Sequence, residues 1–217
     1  MRYYHNWAGL WVIAIPAGWT NQNRGNKKPE LFIEKIYSSL IKHLEQYETK
    51  AKKRNDQGDY WWELRHCVYY PEFEKEKVAW LGMNRKWKFS YVEDKIYVEA
   101  SISFLVSKEN IKYLLGILSS ELILYYFKQI GSMRDKGGFM CKIDTVSKFP
   151  IPPITPTNQT IVSQIEILVD KILVAKQQNP KATTSEYENQ IDQLVYKLYS
   201  LTENQIKIVE NSNKKLK

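Results

Sequence analysis

The chain has 217 residues, 43% of them apolar and 26% charged, and its 7 Trp, 15 Tyr and 7 Phe carry too much buriable surface for a chain that stays disordered. Its 9 Gly and 8 Pro exclude a collagen-like or linker-like polymer, and two cysteines, Cys67 and Cys141, exclude a disulfide framework or a four-cysteine zinc site. A formal charge of +8 makes an acidic polymer the natural partner, and the sparse cysteines suit a reducing, cytoplasmic setting.

Residues 3–23 carry no Asp, Glu, Lys or Arg, yet the apolar run Ala8 to Ile15 is short, ends at Pro16 and is interrupted by Trp, which excludes a secretory signal. Leu10 to Ile15 is predicted as a buried strand. Pro29 opens a helix in which Leu31, Ile33, Ile36, Leu40, Ile41 and Leu44 recur at three- and four-residue spacing, closing in a charged loop over 50–59. Short aromatic and β-branched runs then predict strands at Cys67 to Tyr70, Val78 to Leu81, Trp87 to Val92 and Ile96 to Ile102. The last two read as a hairpin turned at Glu93-Asp94-Lys95. Ile111 to Ile130 reads as one helix, apolar on most sides and therefore central; Lys112, Glu121 and Lys128 within it exclude a membrane span.

A loop over 131–138 and a strand around Met140 to Ile143 lead to Phe149-Pro150-Ile151-Pro152-Pro153, where helix is forbidden and a boundary is expected. The organisation is thus a globular part over 1–150 and, over 151–217, a proline linker with a C-terminal helical segment. Helices are expected at Ile161 to Ala175 and Tyr187 to Tyr199. A third begins at Thr202, whose pairing with Gln205 is a capping box, and the Lys214, Lys215, Lys217 tail is expected to fray. The fold class is α+β: a small twisted sheet flanked by helices, followed by C-terminal helices.

Several blocks carry a family resemblance. They are Tyr4-His5-Asn6-Trp7-Ala8-Gly9-Leu10-Trp11, Trp61-Trp62-Glu63-Leu64-Arg65, Tyr70-Pro71-Glu72-Phe73, Tyr113-Leu114-Leu115-Gly116-Ile117-Leu118-Ser119-Ser120-Glu121-Leu122, Phe149-Pro150-Ile151-Pro152 and Ile191-Asp192-Gln193-Leu194. In this order they resemble the TaqI-like C-terminal specificity domain of restriction-modification enzymes, from about His5 to Glu210. Ser120-Glu121 stands where Ser-Lys is commoner. The resemblance implies a DNA target recognition domain over 1–150, forming the C-terminal part of a larger polypeptide. That polypeptide would carry an N6-adenine methyltransferase using S-adenosylmethionine, and in some members a Mg-dependent endonuclease. The implied partners are double-stranded DNA and the methyltransferase domain of the same polypeptide, with no membrane.

No catalytic set is legible in the chain itself. An adenine methyltransferase needs Asn/Asp-Pro-Pro-Tyr and a glycine-rich loop, whereas Asn179-Pro180-Lys181 reads as a helix terminator. A metal-dependent nuclease is the alternative, resting on Glu48-Thr49-Lys50 and Glu93-Asp94-Lys95, each only half of an Asp…Glu-x-Lys pattern. A protein-interaction module that docks a partner subunit through the helices after the prolines is another.

The candidate DNA-binding residues are cations set among aromatic or flexible neighbours. In Arg85-Lys86-Trp87-Lys88-Phe89 the cations suit phosphates and the rings suit stacking. Arg134 and Lys136 sit in a loop closed by Gly137-Gly138, with Lys142 following. Lys52, Lys53 and Arg54 form a further cluster, and Arg65 closes the Trp-Trp block. Arg134, Lys136 and Arg85 are expected to read bases and the Lys52-Lys53 pair to hold phosphates. Trp61 and Trp62 are expected to pack. No metal ligand set is expected.

Overall fold

Two compact units divide the chain in the computed structural model: Ala8–Glu72, and Met1–Trp7 together with Phe73–Lys217. The structure describes residues 2–108, 110–134 and 138–214.

Ala8–Glu72 is built on helices. Gly18 takes a left-handed φ of 81°, which a side chain would strain, and turns the chain into α1 (Trp19–Asn23). Pro29 supplies a preset φ at the first position of α2 (Pro29–Glu45), whose regular path is interrupted at Tyr37. The charged stretch expected as loop begins with a single helical turn, α3 (Glu48–Ala51). Ile15, Ile33, Ile41 and Trp62 form the core, with Trp19, Leu40, Tyr60 and Trp61 packed at its margin; the rings of Tyr60 and Trp62 stack 4.9 Å apart.

Two expectations fail here. Leu10 to Ile15 is not a buried strand: Leu10 is 75% and Trp11 87% exposed, and only Ile15 reaches the core. Apolarity favours burial, but a strand also needs a partner edge for its N–H and C=O groups. Gly9 at φ 71° breaks the extended path, and the Ile15 carbonyl is taken by the Leu64 N–H at 2.7 Å. Cys67 to Tyr70 is a turn running into a 3-10 helix, Tyr70–Glu74, because Pro71 at its start suits helical φ and donates no ladder bond.

In the other unit, β1 (Lys77–Leu81) buries four consecutive residues, Lys77 to Trp80. β2 (Met83–Asn84) follows after Gly82 and joins a separate sheet. β3 (Ser90–Val92) and β4 (Ile102–Leu105) flank β1 on either side, both antiparallel to it. The expected hairpin between these last two strands is therefore corrected, since they do not pair with each other. Both run antiparallel to β1 and hence parallel to each other, so the connection between them starts at the Lys77 end of β1 and returns to its Leu81 end. The Lys77 ammonium holds its start by donating to the carbonyls of Glu93 at 3.0 Å and Ile96 at 3.1 Å. Glu76 and Glu74 accept from the hydroxyls of Tyr91 and Tyr97.

The single helix expected over 111–130 is two, α4 (Ile111–Ser119) and α5 (Glu121–Ile130). Ser120 is extended at their junction, and its hydroxyl accepts the Ile123 N–H as the N-cap of α5. Part of the next expected loop is strand β5 (Ser132–Arg134), and β6 (Gly138–Met140) starts two residues earlier than its pattern suggested. α6 (Ile143–Val146) takes up the residues expected to finish that strand.

The proline segment is tied down by the Tyr113 hydroxyl on Pro152 O at 2.8 Å and the Tyr199 hydroxyl on Pro150 O at 2.5 Å. α7 (Gln159–Gln178), α8 (Ser185–Leu198) and α9 (Glu203–Lys214) follow as their spacing predicts. The capping box forms, with Thr202 N–H on Gln205 Oε1 at 2.8 Å and Gln205 N–H on Thr202 Oγ1 at 3.4 Å. α4 and α7 approach so closely that a Cβ on Gly116 would lie 2.4 Å from Ile165 Cγ2. Ile117, Ile165 and Ile191 are fully buried along this seam, each worth about 2 kcal/mol of burial.

A buried polar knot joins distant parts of the unit. Arg2 donates to Glu188 of α8 at 2.9 Å and to the Ser119 carbonyl. Asp192 accepts the Glu121 N–H at 2.8 Å, and Asn213 of α9 donates to Glu121 O at 2.9 Å and Oε2 at 2.7 Å. Tyr3 is fully buried, exchanging backbone bonds with Phe89 and Tyr91 beside β3. Among the described residues no helix is long and apolar enough to cross a membrane.

Candidate nucleic-acid interface

The second sheet collects cations that lie far apart in sequence. Its order is β2-β6-β5, with Asn84 facing Phe139 and Arg134 facing Gly138. Arg85 follows Asn84, so it leaves the sheet at the end where Gly138 and Arg134 pair. Two inter-strand spacings separate the edge strands there, about 10 Å. Asn84 Oδ1 accepts the Lys86 N–H at 3.3 Å, which shapes the turn so that Arg85 and Lys86 are both exposed. No Asp or Glu occurs in 83–90 or 138–142, while Asp135 directly follows Arg134.

The aromatic part of the expectation is corrected. Trp87 and Phe89 are buried and cannot stack on bases. Trp87 Nε1 donates to Leu118 O at 2.9 Å, and its ring meets Phe89, Phe127, Phe139 and Phe149 at centroid separations of 5.0 to 6.2 Å. The rings fix the turn that presents Arg85 and Lys86, while Lys88 between them is half-buried. Lys142 is exposed at the N-cap of α6, anchored next to Cys141, whose carbonyl accepts from Trp80 Nε1 at 2.9 Å. Burial pushes the Cys141 thiol up to about 12, so at neutral pH it is protonated and packs as an apolar group. Lys136 lies outside the described residues.

Within Ala8–Glu72 the candidate cations have other commitments. Lys52 pairs with Glu48 at 2.7 Å, one helical turn away, and Lys53 is exposed. Arg54 donates to the carbonyls of Trp61 and Glu63, both at 2.9 Å, and of Ala51 at 3.3 Å, which makes it a backbone clamp. Arg65 is exposed and donates to the Tyr69 hydroxyl at 3.1 Å. Trp62 packs as expected, with Nε1 on Thr20 Oγ1 at 3.0 Å.

Glu63, which residue patterns did not single out, is fully buried. Its carboxylate accepts the N–H groups of Thr20 and Asp59 at 2.9 Å and of Gly18 at 3.1 Å, tying three loops together. An acid enclosed by Trp61, Trp62 and Leu64 was the available signal, since a buried carboxylate must find donors. Of the Glu-x-Lys halves, Glu48 is held by Lys52 and Glu93 lies 3.5 Å from His5 Nε2. Among the described residues no three His, Cys, Asp or Glu side chains converge as a metal site.

Comparison with known proteins gives one finding. The family model described as TaqI-like C-terminal specificity domain matches residues 12–151, more than half of the chain. That span includes all six strands and every candidate cation named above, and it ends inside the proline segment, before α7. No curated protein matches the chain.

Proposed function

Because the chain belongs to the TaqI-like C-terminal specificity domain family, whose members select DNA sequence for restriction-modification enzymes, we propose that it recognises a duplex target for an N6-adenine methyltransferase carried in the same polypeptide. Catalysis, with S-adenosylmethionine and, where cleavage also occurs, Mg, belongs in this reading to that other part, acting in the cytoplasm. Residues 1–150 serve as the recognition domain, and 151–217 pack against the methyltransferase. Arg85, Arg134 and Lys136 read base edges; an Arg fork matches guanine O6 and N7. Lys86, Lys88, Lys142, Lys52, Lys53 and Arg65 hold phosphates and set register. Arg54, committed to three carbonyls, clamps the backbone of its own unit, Ala8–Glu72.

The observation that carries the reading is the convergence of Arg85, Lys86 and Arg134 at one end of a small sheet, with no Asp or Glu in 83–90 or 138–142. Fluorescence anisotropy of the full chain with duplex DNA between 50 and 200 mM salt tests it. The affinity should fall steeply, by about 0.9 log units per log unit of salt for each phosphate contacted. Absent binding at low salt, or binding indifferent to salt, would refute it, and methyl transfer or cleavage by this chain alone would refute the division of labour.

A further inference from the structure

The solvent face of the second sheet carries an apolar row. Met83 of β2 and Ser132 of β5 are both register partners of Met140 in β6, so the three side chains stand on one face. The neighbouring row holds Asn84, Phe139 and Met133; Phe139 in its centre is buried, while Met133 on the edge strand is 40% exposed, so the opposite face meets the core at β6. Met83 is 59% exposed, Ser132 is exposed and Met140 half-buried. An exposed methionine two residues from Arg85 and three from Lys86 is an apolar group framed by cations, in a segment, 83–90, that contains no Asp or Glu. That charge pattern suits a polyanion rather than an apolar protein surface.

Building on the DNA-binding reading, we propose that Met83 and Met140 read thymine by contact with its C5-methyl group, while Ser132 bonds an adjacent base edge. The dimensions agree. The major groove is about 12 Å wide and admits a β-ribbon, and the row spans two inter-strand spacings, about 10 Å. The thymine methyl is the apolar feature of that groove, and serine is tolerant in the bases it bonds. Methionine, unbranched and polarisable, adapts to a methyl presented at the end of a ribbon. Lys86, leaving the same sheet, reaches toward the phosphates that border the groove, and Arg85 beside it toward a base edge.

The test uses the full chain. Random duplexes are enriched by binding, and the enriched duplex is resynthesised with deoxyuridine in place of thymidine at one position at a time, which deletes the methyl and nothing else. At one or two positions binding should weaken about fourfold, the value of one buried methyl-sized group. Met83→Ala should erase that discrimination while keeping its salt dependence, and Met83→Leu should retain it; an unchanged thermal midpoint shows that both variants are folded. Equal affinity for thymidine and deoxyuridine at every position overturns this inference and leaves the DNA-binding reading standing. Failure of the chain to bind any duplex at low salt overturns that reading itself.

Discussion

Arg54 and Lys52 in one unit and Arg85 and Lys86 in the other show two different uses of a cation. In Ala8–Glu72, Arg54 is fixed on three carbonyls and Lys52 on Glu48, and the buried Glu63 organises the loops around them. In the unit containing both sheets, Arg85 and Lys86 are exposed, and aromatic burial of Trp87 and Phe89 holds the turn in place. A basic residue in the first setting contributes to folding, and one in the second is available to a ligand. Cation density in sequence does not separate the two cases; the neighbouring carbonyls and carboxylates do.

The largest expected effect removes the anchor from beneath the exposed pair. Trp87→Ala should lower unfolding free energy by about 3–5 kcal/mol in urea denaturation, whereas Arg85→Ala with Lys86→Ala should change it by less than about 0.5 kcal/mol. Comparable losses from both variants would break the contrast. Next is Glu63→Gln, which puts an amide donor against backbone donors and should cost about 2–3 kcal/mol. Hydrogen exchange resolves it, with protection lost first at Gly18, Thr20 and Asp59. A smaller difference separates the cation sets on DNA. Lys86→Ala with Lys142→Ala, both exposed, should flatten the salt slope by about 1.8, and Lys52→Ala with Lys53→Ala by no more than about 0.9, because Glu48 already engages Lys52. Titrations at several salt concentrations would show an inverted ranking if the first pair were not the principal contact.

The polar knot gives an effect that depends on pH and whose sign is fixed. Burial raises Asp192 from the usual 3.8 to about 7, against the opposing pull of the Glu121 N–H and the Arg2 guanidinium, with Glu121 and Glu188 adding to the rise. The folded chain therefore holds a proton between those values that the unfolded chain releases. This contribution to stability is fully present below about pH 4, declines as pH rises, and is lost above about pH 7. Asp192→Asn should flatten the part of the stability-against-pH curve that lies in this window. Differential scanning calorimetry from pH 5 to 8 measures it, and an unaltered slope would remove Asp192 as the titrating group.

Much of the fold was legible wherever periodicity was strong. α7, α8 and the Thr202 capping box follow their patterns, because an apolar stripe and a cap are local instructions. The break at Ser120 had a local signal too, a serine N-cap followed by an acid, but the apolar run around it masked the signal. Strand partners were not legible. β3 and β4 look like a hairpin in sequence, and only Lys77 and the central position of β1 decide otherwise. At the candidate interface, the clusters around Arg85 and Arg134 could be picked out one by one. Their meeting through β6, and the apolar row beside them, depend on register between segments some fifty residues apart.

The bond from Arg2 to Glu188 spans 186 residues. Arg2 leaves the ribosome 186 residues ahead of Glu188; at about 5–20 residues per second the delay is on the order of tens of seconds. The unit they complete closes only after α8 emerges. The bonds that Glu63 and Arg54 make in Ala8–Glu72 lie within that stretch, so those partners are present well before then. The strand-rich unit is therefore completed after Ala8–Glu72 although Arg2 and Tyr3 precede that stretch in sequence, and during that interval the buried partners of Tyr3 and Arg2 are open to chaperones or to a neighbouring nascent chain.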